Sequence, residues 1–158
     1  MTDEDRQFMQ RAIELARTGM ENDAGGPFGC VVVRDGRVIG EGNNSVTSAN
    51  DPTAHAEIIA IRSACSQIGS FQLDGCSIYT SCEPCPMCLG AIYWARPERV
   101  FYACNRDDAA VIGFDDRFIY EELEKPNESR EMAMTSMMRD EALEIFRQWA
   151  AKPDKVEY

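Results

Sequence analysis

The residues of this sequence that could do chemistry gather in two short stretches. The first is His-Ala-Glu at 55–57, which holds the only histidine of the chain. The second is Pro-Cys-Pro-Met-Cys at 84–88, whose first cysteine lies thirty residues after that histidine. Imidazole and thiolate groups are preferred protein ligands of zinc. We therefore expect His55, Cys85 and Cys88 to bind one zinc ion.

The spacing within each stretch fits the N-terminus of a helix. Cys85 and Cys88 are three apart, so they would be neighbours on one helix face. The partial positive charge there favours the thiolate form that binds metal. His55 and Glu57 are two apart, so they converge only if both sit in the first turn, with the site beyond the helix tip.

Three protein ligands leave the fourth zinc position open for water, which is typical of catalytic rather than structural sites. Glu57 could then take a proton from water and return it to a leaving amine. A glutamate in a first helical turn is also common because it suits the helix dipole. Beside a lone histidine and a Pro-Cys-x-x-Cys motif, the catalytic interpretation is the better one.

Cys82 allows a second arrangement of the metal ligands. Together with Cys85, Cys88 and His55 it could close a structural zinc site, or the cysteines could hold an iron–sulfur cluster. A closed site would indicate a zinc-stabilised interaction module without catalysis. Pro84 separates Cys82 from the predicted helix, so we favour the open site, with Cys82 as a packed or pocket-wall residue.

Hydrophobic periodicity predicts alternating helices and strands around these stretches. Helices are predicted at about 5–20, 54–68, 84–94, 116–123 and 140–151, and strands at 28–34, 37–42, 76–81, 99–104 and 132–137. Asp35-Gly36 predicts a two-residue hairpin, and Thr53 is the expected N-cap of the helix that carries Glu57. This order predicts a mixed sheet flanked by helices, within one domain spanning 1–158.

Composition narrows the class of protein. The chain has 158 residues, 44% of them hydrophobic, and a formal net charge of −11. A protein that binds nucleic acid needs a basic face, so we expect a small substrate and no nucleic acid.

No apolar run in the sequence approaches the length of a membrane span, and the acidic first residues do not resemble a secretory signal. We therefore expect a cytoplasmic protein without a membrane partner, whose seven cysteines are reduced.

The two motifs together form the H-x-E and P-C-x-x-C signature of zinc nucleobase deaminases. On this signature the sequence resembles the cytidine-deaminase-like superfamily, and within it the small bacterial zinc guanine deaminases. Further landmarks of the resemblance are Gly25–Gly29, Asn50–Glu57, Thr80–Cys88, Gly90–Arg96, Ile112–Asp116 and the terminal Tyr158. The zinc motif is shared by tRNA adenosine and cytosine deaminases, so it leaves the substrate open. The Gly113–Asp116 stretch and the terminal tyrosine point to guanine.

The resemblance implies a three-layer α/β/α fold with a five-stranded mixed sheet. It also implies a homodimer in which the C-terminal segment, about 125–158, is exchanged between subunits. The activity implied is zinc-dependent hydrolytic deamination of guanine to xanthine and ammonia. The alternative is a deaminase of the same fold that acts on a nucleoside, another aminopurine, cytosine or tRNA adenosine.

The resemblance further implies five substrate-binding residues. Asn44 and Asp116 would contact the polar edges of the purine, Phe28 and Trp94 would pack against its ring, and Tyr158 would close the pocket. Each has a structural alternative: the two aromatic rings could be core residues, Asn44 could serve a turn, and Asp116 could cap a helix. The neighbouring Asp115 competes with Asp116 for the substrate role.

Overall fold

The sheet consists of four strands in the order β2-β1-β3-β4. The computed structural model describes all residues, 1–158, and it divides into two units, Met1–Asp116 and Arg117–Tyr158. In the first unit the elements are α1 (Asp3–Glu21), β1 (Gly29–Arg34), β2 (Arg37–Asn43), α2 (Val46–Ala49), α3 (Ala56–Ile68), β3 (Cys76–Cys82), α4 (Pro86–Ala95), β4 (Arg99–Cys104) and α5 (Arg106–Val111). The second unit contains α6 (Arg117–Glu124), a 3₁₀ turn (Asn127–Ser129) and α7 (Arg139–Ala151).

The β1–β2 hairpin sets the direction of the sheet. Asp35 and Gly36 both have positive φ, 51° and 71°, as a two-residue turn matching the twist of the strands requires. β1 runs antiparallel to both β2 and β3, whereas β3 and β4 are parallel. The start of β1 and the ends of β2 and β3 therefore lie at one edge of the sheet, where Cys30 pairs with Thr80.

Helices cover both faces of this sheet. On one face, Ala12 of α1 packs with Val31, Val33 and Tyr79. On the other face, alanines of α3 and Ile92 of α4 pack with Cys30, Val32 and Ile78 of the strands. The predicted three-layer α/β/α architecture with a mixed sheet is confirmed.

Gly42 allows α3 to lie against β2. A Cβ atom at Gly42 would approach the Ala56 carbonyl oxygen to 2.3 Å and the Ala60 nitrogen to 2.8 Å. Both contacts are with helix backbone, which has no flexible side chain to move aside. The glycine therefore brings the N-terminal turn of α3 down onto the sheet.

We expect Gly42→Ala to lower the free energy of unfolding by about 1–3 kcal/mol or more, the usual cost of overpacking a well-packed core. Gly90 is the matched control, because a Cβ there meets nothing within 4 Å. Gly90→Ala should gain up to about 1 kcal/mol, since glycine is a poor helix residue. Chemical denaturation of both variants gives the comparison, and an undiminished stability of Gly42→Ala would contradict the close approach.

The second unit differs from the prediction at residues 132–137, which form no strand. A strand exists only through hydrogen bonds to a neighbouring strand, and the contact here is Met134 N donating to Asn127 O at 3.3 Å. The expected count of five strands was therefore wrong, and the sheet has four. No helix of the chain combines the length and the apolarity needed to span a membrane.

Candidate active site

Two helix N-termini carry the motif residues, as the sequence predicts. His55 is the N-cap of α3 and Cys85 is the N-cap of α4, both with extended backbone. Both helices begin two residues later than predicted, at Ala56 and Pro86. Thr53 donates its amide and hydroxyl to Asp51 Oδ1 instead of capping α3, and the first helical proline of α4 is Pro86.

His55, Cys85 and Cys88 form a cluster whose potential ligand atoms all lie within 4.8 Å of one another. The His55 Nδ1 atom is 3.5 Å from the Cys85 Sγ atom and 3.5 Å from the Cys88 Sγ atom. In tetrahedral coordination, a zinc-bound nitrogen and a zinc-bound sulfur are separated by about 3.6 Å. The donor set and its spacing therefore fit zinc.

The charges of the cluster also suit a metal site. Hydrogen bonding with Cys88 and His55 lowers the pKa of the Cys85 thiol to about 4, so this sulfur is a thiolate at neutral pH. Its hydrogen bond in turn raises the pKa of His55. The pKa of Cys88 is raised by its hydrogen bond with Cys85 and by burial.

Glu57 lies beside this cluster, in the first turn of α3. Its side chain is 6% exposed, and burial raises the pKa of its carboxyl group. Oε2 accepts a hydrogen bond from Cys88 Sγ at 3.4 Å, and Oε1 accepts one from Thr80 Oγ1 at 3.0 Å. One carboxylate oxygen therefore faces the cluster while the other faces the sheet, which suits a proton carrier next to a metal-activated water.

Cys82 lies outside the cluster. It is the last residue of β3, and its Sγ atom donates to the backbone oxygen of Asn105 at 3.6 Å. Burial raises the pKa of the Cys82 thiol to about 11. The potential ligand atoms that cluster belong to His55, Cys85 and Cys88 only, and Cys82 has its own hydrogen-bond acceptor, which favours the open three-ligand site over the closed one.

Comparisons with known proteins agree with this site. Residues 2–104 match the family described as the cytidine and deoxycytidylate deaminase zinc-binding region. The chain belongs to this zinc-binding deaminase family. Zinc as the cofactor is thereby confirmed, together with the predicted superfamily.

Individual relatives extend the likeness beyond the zinc-binding region. The chain is 56% identical over 151 residues to a guanine deaminase of Bacillus subtilis, covering 96% of this chain and 97% of that protein. A crystal structure of guanine deaminase from Bacillus subtilis superposes with a TM-score of 0.95 at 54% identity, covering 100% of this chain and 99% of that one. A tRNA-specific adenosine deaminase of Agrobacterium fabrum is 41% identical over 111 residues, covering 70% of this chain and 72% of that protein.

Asn44 and Phe28, two of the predicted substrate-binding residues of this zinc deaminase, lie together at the end of the sheet that carries the site. Asn44 N donates to the Phe28 carbonyl oxygen at 2.9 Å. Asn44 Oδ1 accepts from the backbone nitrogens of Gly26 and Val46, at 3.2 and 3.3 Å, which leaves the side-chain NH₂ group to donate elsewhere. The turn role and the ligand role of Asn44 are therefore compatible.

Asp116 lies near enough to the cluster for their charges to interact. Burial raises the pKa of Asp116, and the negative charge of Cys85 raises it further. Asp115 is exposed. This placement favours Asp116 over Asp115 as the residue facing the site.

Trp94 and Tyr158 are both largely exposed. Trp94 lies six residues beyond Cys88 on α4, which is about 9 Å along the helix axis, and it is 64% exposed. Tyr158 is the last residue of the second unit and is 70% exposed. Their contact with substrate stays a prediction.

Three residues at the site were not singled out from the sequence. Thr80 contacts Glu57, Ser81 Oγ accepts from Gly29 N at 3.0 Å, and Phe114 packs edge-to-face on Phe28 at 4.9 Å between ring centroids. The two hydroxyls come from a strand with every residue buried. Hydroxyl residues inside a buried strand were the signal available for them, since buried hydroxyls need partners.

Proposed function

We propose that this protein is a zinc-dependent aminohydrolase that converts guanine and water to xanthine and ammonia. The observation that carries the proposal is the degree of identity over the whole chain. The guanine deaminase relative is 56% identical over 96% of the chain, whereas tRNA-specific adenosine deaminases are 41% identical over 70% of it and 31% identical over 92%. Identity that extends past residue 104, where the matched zinc-binding region ends, takes in the part of the chain that holds Asp116 and Tyr158.

In the proposed reaction, a C–O bond from water replaces the C–N bond to the exocyclic amino group. His55, Cys85 and Cys88 would hold the zinc ion, which supplies Lewis-acid chemistry and lowers the pKa of bound water to about 7. Glu57 would accept a proton from water through Oε2, the oxygen that faces the cluster. It would then return the proton to the purine so that the amino group leaves as ammonia.

The residues around the cluster support a flat, polar-edged substrate. The free NH₂ group of Asn44 can donate to a purine acceptor, and the Asp116 carboxylate can accept from a ring N–H. The Phe28 ring, held edge-to-face by Phe114, offers an apolar wall for a base. The net charge of −11 supports a free base over an RNA, because RNA binding draws on cationic contacts to phosphate.

A substrate panel tests this proposal. The zinc-loaded protein is incubated with guanine, adenine, 2,6-diaminopurine, cytosine, guanosine, cytidine and a tRNA bearing the target adenosine. Ammonia release and ultraviolet spectra of the products identify the reaction. We expect xanthine from guanine with the highest kcat/KM of the panel. A higher kcat/KM for cytosine, a nucleoside or tRNA would reject guanine as the substrate.

We also propose a homodimer in which the C-terminal segment, about 125–158 and so most of the second unit, is exchanged between subunits. The support is that α7 contains no buried residue. In α7, Ile145 and Phe146 are 61% and 71% exposed. Helices draw most of their stability from packing an apolar face, so this unit needs a surface to cover it, and a second copy of the chain can provide one.

A hybrid dimer tests the exchange. Glu57→Ala and Tyr158→Ala chains are co-expressed with different tags and purified through both tags. If the tail of one subunit completes the other's site, one of the two sites has both natural residues, so activity should be about half that of the wild-type dimer. Without exchange, each site has one defect, and the hybrid would only match the average of its parents. Failure to capture any hybrid would contradict the homodimer.

A further inference from the structure

Thr80 is a buried hydroxyl residue in the middle of the sheet. It lies on β3, which β1 and β4 flank on either side, and its side chain is 1% exposed. The neighbouring strand residues Ile78 and Tyr79 are buried as well. A hydroxyl group in such surroundings is costly unless it forms a hydrogen bond. Its partner is the Glu57 carboxylate, at 3.0 Å.

The two carboxylate oxygens of Glu57 have different partners. Oε1 accepts from Thr80, and Oε2 lies 3.4 Å from the Cys88 sulfur at the metal cluster. The terminal torsion of a glutamate side chain is broad and does not fix the carboxylate plane by itself. The Thr80 hydroxyl, placed on the side away from the cluster, is what can hold that plane with Oε2 toward the reacting water.

Thr80 is itself held rigidly, as a positioning group must be. Its backbone pairs with Cys30 on one side and with Tyr102 on the other. Threonine is branched at Cβ, so its χ1 torsion has few accessible rotamers. The donor therefore belongs to the sheet, whereas Glu57 belongs to a helix packed on it, and the bond ties the two layers together at the site.

We propose that Thr80 is a positioning residue that orients the Glu57 carboxylate for proton transfer. The proposal rests on the proposed function, in which Glu57 carries the proton. A catalytic group displaced by about 1 Å from its productive position slows the chemical step more than it weakens substrate binding. Loss of the Thr80 hydroxyl should therefore reduce kcat and leave KM nearly unchanged.

The test compares Thr80→Val, which keeps the shape and removes the donor, with Thr80→Ser, which keeps the donor. In the zinc-loaded protein we expect Thr80→Val to lower kcat about 10-fold or more, the loss expected for a hydrogen bond to a charged group, with KM changed less than about twofold. Thr80→Ser should recover most of kcat. Ser77→Ala is the control, since Ser77 is buried at the other end of the same strand and should keep kcat.

A double-mutant cycle with Glu57→Ala separates positioning from a general effect on the fold. Adding Thr80→Val to Glu57→Ala should lower the residual kcat no further, and the thermal midpoints of the metal-free variants should be non-additive because the two side chains touch. Zinc content is measured for every variant.

Three results would overturn the proposal. They are an unchanged kcat in Thr80→Val, an equal loss in Ser77→Ala, or a loss that tracks missing zinc. If the wild type deaminates a base other than guanine, the substrate proposal fails, and the same cycle on that base still tests Thr80. If the wild type deaminates nothing, both proposals fail.

Discussion

Replacing Glu57 by alanine should leave a zinc-binding protein that has lost most of its activity. The structure places this carboxylate in hydrogen-bond contact with the cluster, through Cys88. It is not a member of the donor group itself. Because positioned acid–base groups contribute about 100- to 10,000-fold to rates, we expect kcat to fall by that amount in both Glu57→Ala and Glu57→Gln, while zinc content stays near one ion per chain.

The glutamine variant gives the sharper result of the two. Its side-chain oxygen can still accept from Thr80, so the fold around the site changes little, but an amide cannot carry the proton. Glu98→Gln is the matched control, since Glu98 is exposed outside the site and should keep full activity. Zinc is quantified by mass spectrometry and kcat by ammonia release. Near-normal turnover of zinc-loaded Glu57→Gln would remove Glu57 from the proton-transfer role.

The zinc site could be predicted from the sequence because its information is local. His55 and Glu57 are two residues apart, Cys85 and Cys88 are three apart, and helix geometry fixes what such spacings can do. The short distance in space between the two stretches depends on the fold. The two stretches come together because α3 and α4 pack on the same face of the sheet. The two helix starts were off by two residues. At α3 this is because the Thr53 amide donates to the Asp51 side chain and Thr53 does not cap the helix.

The surroundings of the site could not be predicted from local spacing. Thr80 and Phe114 contact Glu57 and Phe28 only through tertiary packing, and the landmark stretches that contain them do not show which residue each contacts. The prediction of a β-strand at 132–137 was wrong for a related reason. Strand propensity does not supply a pairing partner, and within one chain these residues have none.

Cys82 and Cys85 are expected to respond oppositely to the same substitution, and this contrast decides between the open and the closed zinc site. Cys85 Sγ lies 3.5 Å from His55 Nδ1 within the cluster, whereas Cys82 Sγ bonds the Asn105 carbonyl oxygen. Loss of groups that merely support a metal ligand costs about 10- to 100-fold in metal affinity, so loss of a ligand should cost more. We expect Cys85→Ser to lose its zinc on dialysis and Cys82→Ser to keep it.

The serine exchange is well matched at both positions. A hydroxyl at residue 82 can still donate to the Asn105 oxygen, so the fold of Cys82→Ser should be preserved, whereas a hydroxyl at residue 85 is a poor zinc ligand at neutral pH because it does not ionise there. Elemental analysis of both variants measures zinc and iron together. Zinc lost from Cys82→Ser would indicate a closed site of three cysteines and one histidine, and iron in the wild type would indicate a cluster. Retention by Cys82→Ser leaves one coordination position for water, which deamination requires.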